Sequence, residues 1–450
     1  MIKRLLFLVL ILCVCSVQRV TAQLWDSLGP GLDGGAIYTM YADSADNYLY
    51  IGGYYTVAGP TLVGGLTRWN GVSFDAMNYT GSGGSRYVHS IIRFQDTIYA
   101  VGSFWSVYQH IVKWNGFAWD SVGFVYGGGV YKLKEFNGEL YAFGVFDSVN
   151  NSGGNNIAKW NGSSWSTLKD TIFNGQIFCA EVFNNELYIA GNFYNSSTGT
   201  WRIMKWNGTN FVPVGNGGVY GGWAFVEDMI VYNNELYVAG FFDKANGNTG
   251  NNIQKWNGTS WSEVGGGVNW QVNDLEVYGN ELYAVGSFTS AGGVPAQYIA
   301  KWNGTDWCGF GSNFDNILGA IAFKNGEMYV GGGFDTINGA VIHKVAKWIG
   351  SATDTCGHIN VGIEEYQPNS DFSLYPNPND GNMTLEYHLT GNVAGLIEIF
   401  DLTGRKVYSN YLNPDIDKVS LSLDLNEGMY IYKISADNKT PCRKFVVTRH

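Results

Sequence analysis

Along most of this chain, apolar and polar residues alternate with a period of two over short runs, and glycine or asparagine interrupts each run. "ELYAVGSF" (Glu281–Phe288) and "YIAKW" (Tyr298–Trp302) are examples. That period presents one face of an extended strand to a core and the other to a different surface, so the runs predict strands joined by tight turns. The runs also recur. "LTRWNGVSF" from Leu66 returns as "IVKWNGFAW" from Ile111, "IAKWNGSSW" from Ile157, "IMKWNGTNF" from Ile203, "IQKWNGTSW" from Ile253 and "IAKWNGTDW" from Ile299, with a degraded "VAKWIGSAT" from Val345.

The leading tryptophans of these copies are Trp69, Trp114, Trp160, Trp206, Trp256, Trp302 and Trp348, spaced by 45, 46, 46, 50, 46 and 46 residues. A second phrase keeps the same step, from "LYIGGYY" at Leu49 to "MYVGGGF" at Met328. Within the unit Val272–Gly311 the pattern predicts four strands: "VNDLEVY", a two-residue turn, "ELYAVGSF", a longer loop, "YIAKW", an Asn-Gly turn, and "DWCGFG". Four short antiparallel strands repeated about every 40–50 residues are the signature of a propeller blade. The last unit lacks a fourth strand, and "LWDSLGPGL" from Leu24 supplies one; residues 24–29 are therefore expected to finish the seventh blade. The fold class expected is all-β: a seven-bladed β-propeller followed by a small Ig-like β-sandwich.

Twelve of the sixteen tryptophans belong to the repeat template and read as packing, because a symmetric ring needs the same filler in every blade. Trp105, Trp201, Trp223 and Trp270 break it. The first two fall in or beside the loop between strands two and three. The others fall in the connection leading to the next blade, which emerges on the same face of the ring. All four are candidate ligand-binding residues there.

Composition agrees with strands and turns: 61 glycines and 16% aromatics, against 14% charged residues, disfavour long helices and disorder. The opening "MIKRLLFLVLILCVCSVQRVTAQ" has a basic start, an apolar run and a small-residue end, so residues 1–22 read as a secretory signal peptide. No later segment is a transmembrane candidate. Loss of the three basic leader residues takes the net charge from −11 to −14, and no basic stripe offers itself to nucleic acid. Cys179, Cys308, Cys356 and Cys442 remain after the leader; Cys308 and Cys356 occupy near-equivalent repeat positions and are the favoured disulfide pair.

The propeller is expected over residues 23–356, and roughly residues 24–350 resemble, at the level of architecture, propellers of the kelch and galactose-oxidase group. The "iakWNGssW" phrasing looks more like repeats of secreted bacterial propellers and of fungal cortical polarity-marker ectodomains. The resemblance implies a scaffold and no activity. After a polar connector at 357–371, residues 372–450 carry "YPNP", "IFDLTGRKV", "LDLNEGMYIYKI" and the terminal "RKFVV". This order closely resembles the C-terminal sorting domain of the type IX secretion system of Bacteroidota. It implies the secretion machinery as a partner, and a secreted or outer-surface location.

Chemical motifs are scarce. The six histidines show no metal-binding spacing, and there is no nucleophile elbow or phosphate loop, so neither a metal nor a cofactor is expected. Asp228 and Asp274 take equivalent places in the first strands of adjacent units, with Glu227 and Glu276 beside them; Ser90, Lys132, Cys179 and Ala320 hold that register elsewhere. Binding of a glycan or protein is the leading expectation. A polysaccharide hydrolase using Asp228 and Asp274 as acid and base is the alternative, and a structural surface protein without a discrete ligand is the third.

Overall fold

The computed structural model describes residues 24–350 and 372–448, apart from short stretches at 78–86, 106–107, 153, 169–172, 216–218, 221–223, 246–247, 250, 388–394, 402–404 and 436–441. The leader 1–22 and connector 357–371 lie outside the described residues, as do Trp223 and Cys356. The chain divides into two compact units, Met1–Gly357 and His358–His450.

In the first unit every described regular element is a strand. The WNG phrase shows why. In six copies the asparagine side chain (Asn70, Asn115, Asn161, Asn207, Asn257, Asn303) accepts hydrogen bonds from the main-chain N–H groups two and three residues on, at 2.8–3.0 Å. This Asx turn reverses the chain, and the glycine after each asparagine sits at φ between 95° and 106°. The turn sets the two flanking aromatics opposite one another: Trp69 and Phe74, Trp114 and Trp119, Trp160 and Trp165, Trp206 and Phe211, Trp256 and Trp261, Trp302 and Trp307, with ring centroids 4.7–5.5 Å apart. The turn between strands one and two is equally specific. In six of the seven units both its central residues have positive φ, as in Asn184–Asn185 and Asn233–Asn234, the geometry that matches strand twist.

Among the described residues, seven antiparallel sheets are built this way. Their inner strands are Ala36–Asp43, Val88–Phe94, Gly129–Phe136, Asn174–Phe183, Phe225–Tyr232, Val272–Tyr278 and Leu318–Lys324, and the blades are numbered 1 to 7 in that order. Each inner strand lies against the next, and the last lies against the first, so the sheets form a closed β-propeller. The seventh sheet draws its outer strand from the start of the chain. Trp25–Ser27 pairs antiparallel with Val345–Trp348, placing Trp25 opposite Trp348 with centroids 4.9 Å apart.

The core is divided among the junctions between blades. One buried cluster joins Cys179 and Tyr188 of blade 4 to Met229 and Leu236 of blade 5; another joins Leu318 and Val330 of blade 7 to Val285 of blade 6 and to Trp25. Outer indoles fasten the same junctions: Trp165, Trp261 and Trp307 donate Nε1–H to the carbonyls of Val122, Val214 and Val264 in the preceding blade. The longer loops between strands two and three fold into hairpins of two-residue strands in several blades, such as Ser290–Ala291 with Val294–Pro295. Blades 2 and 4 instead lengthen the strands themselves. Trp105 and Trp201 are consequently strand residues, Trp105 closing Thr97–Trp105 and Trp201 lying opposite Tyr194.

The second unit contains two sheets. Phe372–Tyr375, Asn382–Tyr387 and Lys418–Ser422 form one; Lys406–Leu412, Gly395–Asp401, Gly428–Ser435 and Cys442–Val447 form the other. Met383 and Leu385 from the first pack with Ile397, Ile399 and Phe445 from the second. The YPNP phrase binds the terminal strand, since Asn377 Oδ1 accepts the Val446 N–H at 2.9 Å.

Trp25 is 1% exposed, touches Phe310, Phe314 and Trp348, and donates Nε1–H to Ser312 Oγ at 2.7 Å. Trp25→Ala is expected to lower the propeller's unfolding free energy by about 3–5 kcal/mol, measured by chemical denaturation, with Trp25→Phe losing less.

Candidate functional site

The seven inner strands share one irregularity. Each shifts register near its start, leaving Tyr38, His89, Tyr131, Phe178, Glu227, Asn273 and Gly319 as the extra residue of a β-bulge. A bulge re-aims a side chain out of the strand's regular alternation, and all seven line a central cavity of about 770 Å³. The bulge is sevenfold, but its occupants are not.

Blades 1 to 4 supply rings. Tyr54 stacks on Tyr87 at 4.8 Å, and Tyr87 lies parallel to Tyr38 and His89 at 6.2 and 6.3 Å. His89 meets Tyr131 edge-on at 5.3 Å, and Tyr131 meets Phe178 at 5.5 Å. The series runs on through Phe225 and Phe241 to Trp270. Tyr38, Tyr87 and Trp270 are exposed, and Tyr38 and Tyr87 line the cavity, so the arc offers ring surface there. Burial pushes the His89 imidazole down to about 4, so at neutral pH it acts as another uncharged ring.

Blades 6 and 7 supply amides and bare backbone. Asn273 Nδ2 donates to the Leu318 carbonyl at 2.7 Å and its Oδ1 accepts from Gln271 Nε2 at 2.8 Å. Gly319 carries no side chain for a steric reason: a Cβ there would stand 2.2 Å from the carbonyl oxygen of Ile37 across the junction with blade 1.

Below this layer lies the register of Asp228 and Asp274. Bulges disrupt the sheet ladder and leave main-chain N–H groups for other partners. The neighbouring blade provides them: Ser90 Oγ accepts the Leu133 N–H at 3.2 Å, Asp228 Oδ2 the Leu275 N–H at 3.1 Å, and Asp274 Oδ2 the Ile321 N–H at 2.8 Å. Asp274 Oδ1 also accepts from Leu275 N at 3.1 Å, so this N–H holds the two carboxyls within about 6 Å. The other oxygen of Asp228 pairs with Lys132 Nζ at 3.2 Å, from blade 3 across to blade 5. Lys134 pairs with Glu181 at 2.6 Å.

Electrostatics follow from crowding. Burial opposes charge on Lys132, but the Asp228 and Asp274 carboxylates outweigh it and hold the ammonium protonated. Burial, then Asp228, pushes the Asp274 carboxyl well above its usual range. Burial and Asp228 raise Glu227 from an ordinary 4.5 to about 7. Glu276 also reaches about 7, raised by burial and Asp228 while the Val277 N–H and Lys132 pull it down. Burial and Asp228 likewise keep Cys179 a thiol.

The sequence candidates separate in space. Trp270 (54% exposed) ends the arc. Trp201 instead packs on Tyr194 at 4.3 Å, with the Arg202 guanidinium 5.0 Å from its ring. The side chain of Trp105 and all of Trp223 lie outside the description. Tyr38, His89, Tyr131 and Phe178 stand one residue before the register of Asp228 and Asp274, and Tyr87 three before Ser90, so that register does not display them. Aligning the preceding position across units would have shown three rings and a histidine in succession. Cys308 is disulfide-bonded and Cys179 is free and buried. Among the described residues, no cluster of His, Cys, Asp and Glu is fit to hold a metal ion, and no helix is long and apolar enough to cross a membrane.

Residues 373–448 match the family described as the secretion system C-terminal sorting domain. That tail marks export through the type IX secretion system, to the cell surface or beyond it. No curated protein matches the chain. Among solved structures, a chain of the mitotic checkpoint complex is similar at 14% identity, covering 72% of this chain and 92% of that one, with a TM-score of 0.44. The β-propeller domain of Cps50 (Swd1) from Myceliophteria thermophila gives 9%, 73%, 100% and 0.42. A protein of unknown function from Bacteroides thetaiotaomicron gives 11%, 72%, 71% and 0.37. Likeness this distant bears on neither ligand nor activity.

Asp228→Ala would remove the ion-pair partner of Lys132 and leave the Leu275 N–H with Asp274 Oδ1 alone. A loss of about 2–3 kcal/mol in unfolding free energy is expected, below that of a sealed pair because Lys132 reaches the cavity; Asp228→Asn should lose less. A second expectation concerns pH. Glu227 and Glu276 bind protons more tightly folded than unfolded, so between about 4.5 and 7 their contribution to stability declines as pH rises, then levels off. The denaturation midpoint of the protein relative to the Glu227→Gln/Glu276→Gln variant should therefore fall between pH 4.5 and 8.

Proposed function

We propose that the chain is an exported β-propeller whose central mouth binds a glycan, the sorting tail delivering this binding module outside the cell. In this reading residues 1–22 are a cleaved leader, 23–356 the propeller, 357–371 a connector and 372–450 the sorting segment, with Cys308 bonded to Cys356.

The observation that carries the reading is the aromatic arc. Ring faces at the rim of a polar cavity suit the apolar faces of sugar rings, while the Gln271, Asn273 and carboxyl groups suit hydroxyls. The cavity has the size of small-ligand sites, which run to about 300–1,000 Å³. The hydrolytic alternative gains nothing from the arrangement. Asp228 is held by Lys132 and the Leu275 N–H, and Asp274 by two N–H groups, so both act as ties between blades.

Each exposed ring is expected to contribute about 1 kcal/mol. Tyr87→Ala/Trp270→Ala should weaken a ligand identified on a glycan array by about tenfold or more, read by titration calorimetry. Undiminished binding in a folded double variant would remove the reading.

A further inference from the structure

We propose that the glycan taken by the central mouth carries a free protonated amine, an amino sugar whose ammonium sits beneath the aromatic arc against Glu227 and Glu276. This rests on the glycan reading above and narrows its ligand class.

The argument starts from the ionisable groups facing the cavity. The cations, Lys132 and Lys134, are both engaged, by Asp228 and Glu181. His89 is uncharged at neutral pH. Asp274 is occupied by main-chain donors. Two carboxyls remain. Among the described residues Glu227 makes no hydrogen bond or ion pair, although it is partly buried and lines the cavity. Glu276 has only the N–H of Val277, at 3.3 Å. A part-buried carboxyl without a partner is costly, and both glutamates line the one cavity, with Asp228 and Lys132 between their blades and blade 3.

A ligand can supply what the fold omits. An anionic sugar would meet surplus carboxyls and no unengaged cation. A neutral sugar would leave the surplus standing. An ammonium would pair with the glutamates and meet the negative faces of Tyr38, Tyr131 and Phe178 around the same cavity, the arrangement that recognises amine cations elsewhere. Both carboxyls stand near 7 in the empty site, and a cation beside them would draw them back to the ionised form.

The test compares glucosamine oligomers with N-acetylglucosamine oligomers of equal length, titrated into the full chain by calorimetry at pH 6.5 in low and high salt. The free-amine series is expected to bind at least tenfold more tightly, with the difference shrinking in high salt. In Glu227→Gln/Glu276→Gln, checked for folding by tryptophan fluorescence, that preference should disappear. Equal affinity for the two series, or a preference that survives in the variant, overturns the amine inference and leaves the glycan reading intact. Failure of both series to bind also overturns it. A glycan array without any hit would remove the broader reading as well.

Discussion

Every sheet of this propeller has two apolar faces and can cover neither alone. Circular stacking is the constraint on which the rest depends: each face is buried by a neighbour, and the core exists only as junctions between blades. The repeated tryptophans answer to it. One indole of each pair lies against its sheet partner, and outer indoles reach the preceding blade's carbonyl, so the phrase that dominates the sequence is a fastener.

Function enters where the symmetry breaks. The bulge in the inner strand is common to all seven blades, and it delivers one residue per blade to the central mouth. Rings and a neutral imidazole occupy four of those places; glutamate, asparagine and glycine occupy the others. The glycine is imposed by the close approach of the Ile37 carbonyl where blades 7 and 1 meet. The same scaffold thus yields a cavity with an aromatic side and a polar side, without adding a loop.

The repeat, its strands and both turn types were legible because Asn-Gly and paired aromatics act locally. The missing fourth strand also pointed to its replacement at Trp25. The carboxylates and Lys132 of the cavity lining were legible, but its rings were not, because a bulge is a two-against-one pairing that alternation alone does not reveal. Reading the inner strands as regular drew notice to Asp228 and Asp274, with Glu227 only as a neighbour, and away from Tyr131 and Phe178, one position before that register. Trp201 stood out for breaking the template, yet its neighbours are Tyr194 and Arg202, contacts set by a strand extension with no counterpart in most blades.

The seam between Trp25 and Trp348 has a kinetic corollary. Its partners stand about 320 positions apart, so the ring is among the last contacts a folding chain can make. Until then the edge of the final sheet stays bare and open to other strands. Closure covers that edge and joins the last sheet to the first, so the ring is completed only when the earliest described strand returns to the final blade.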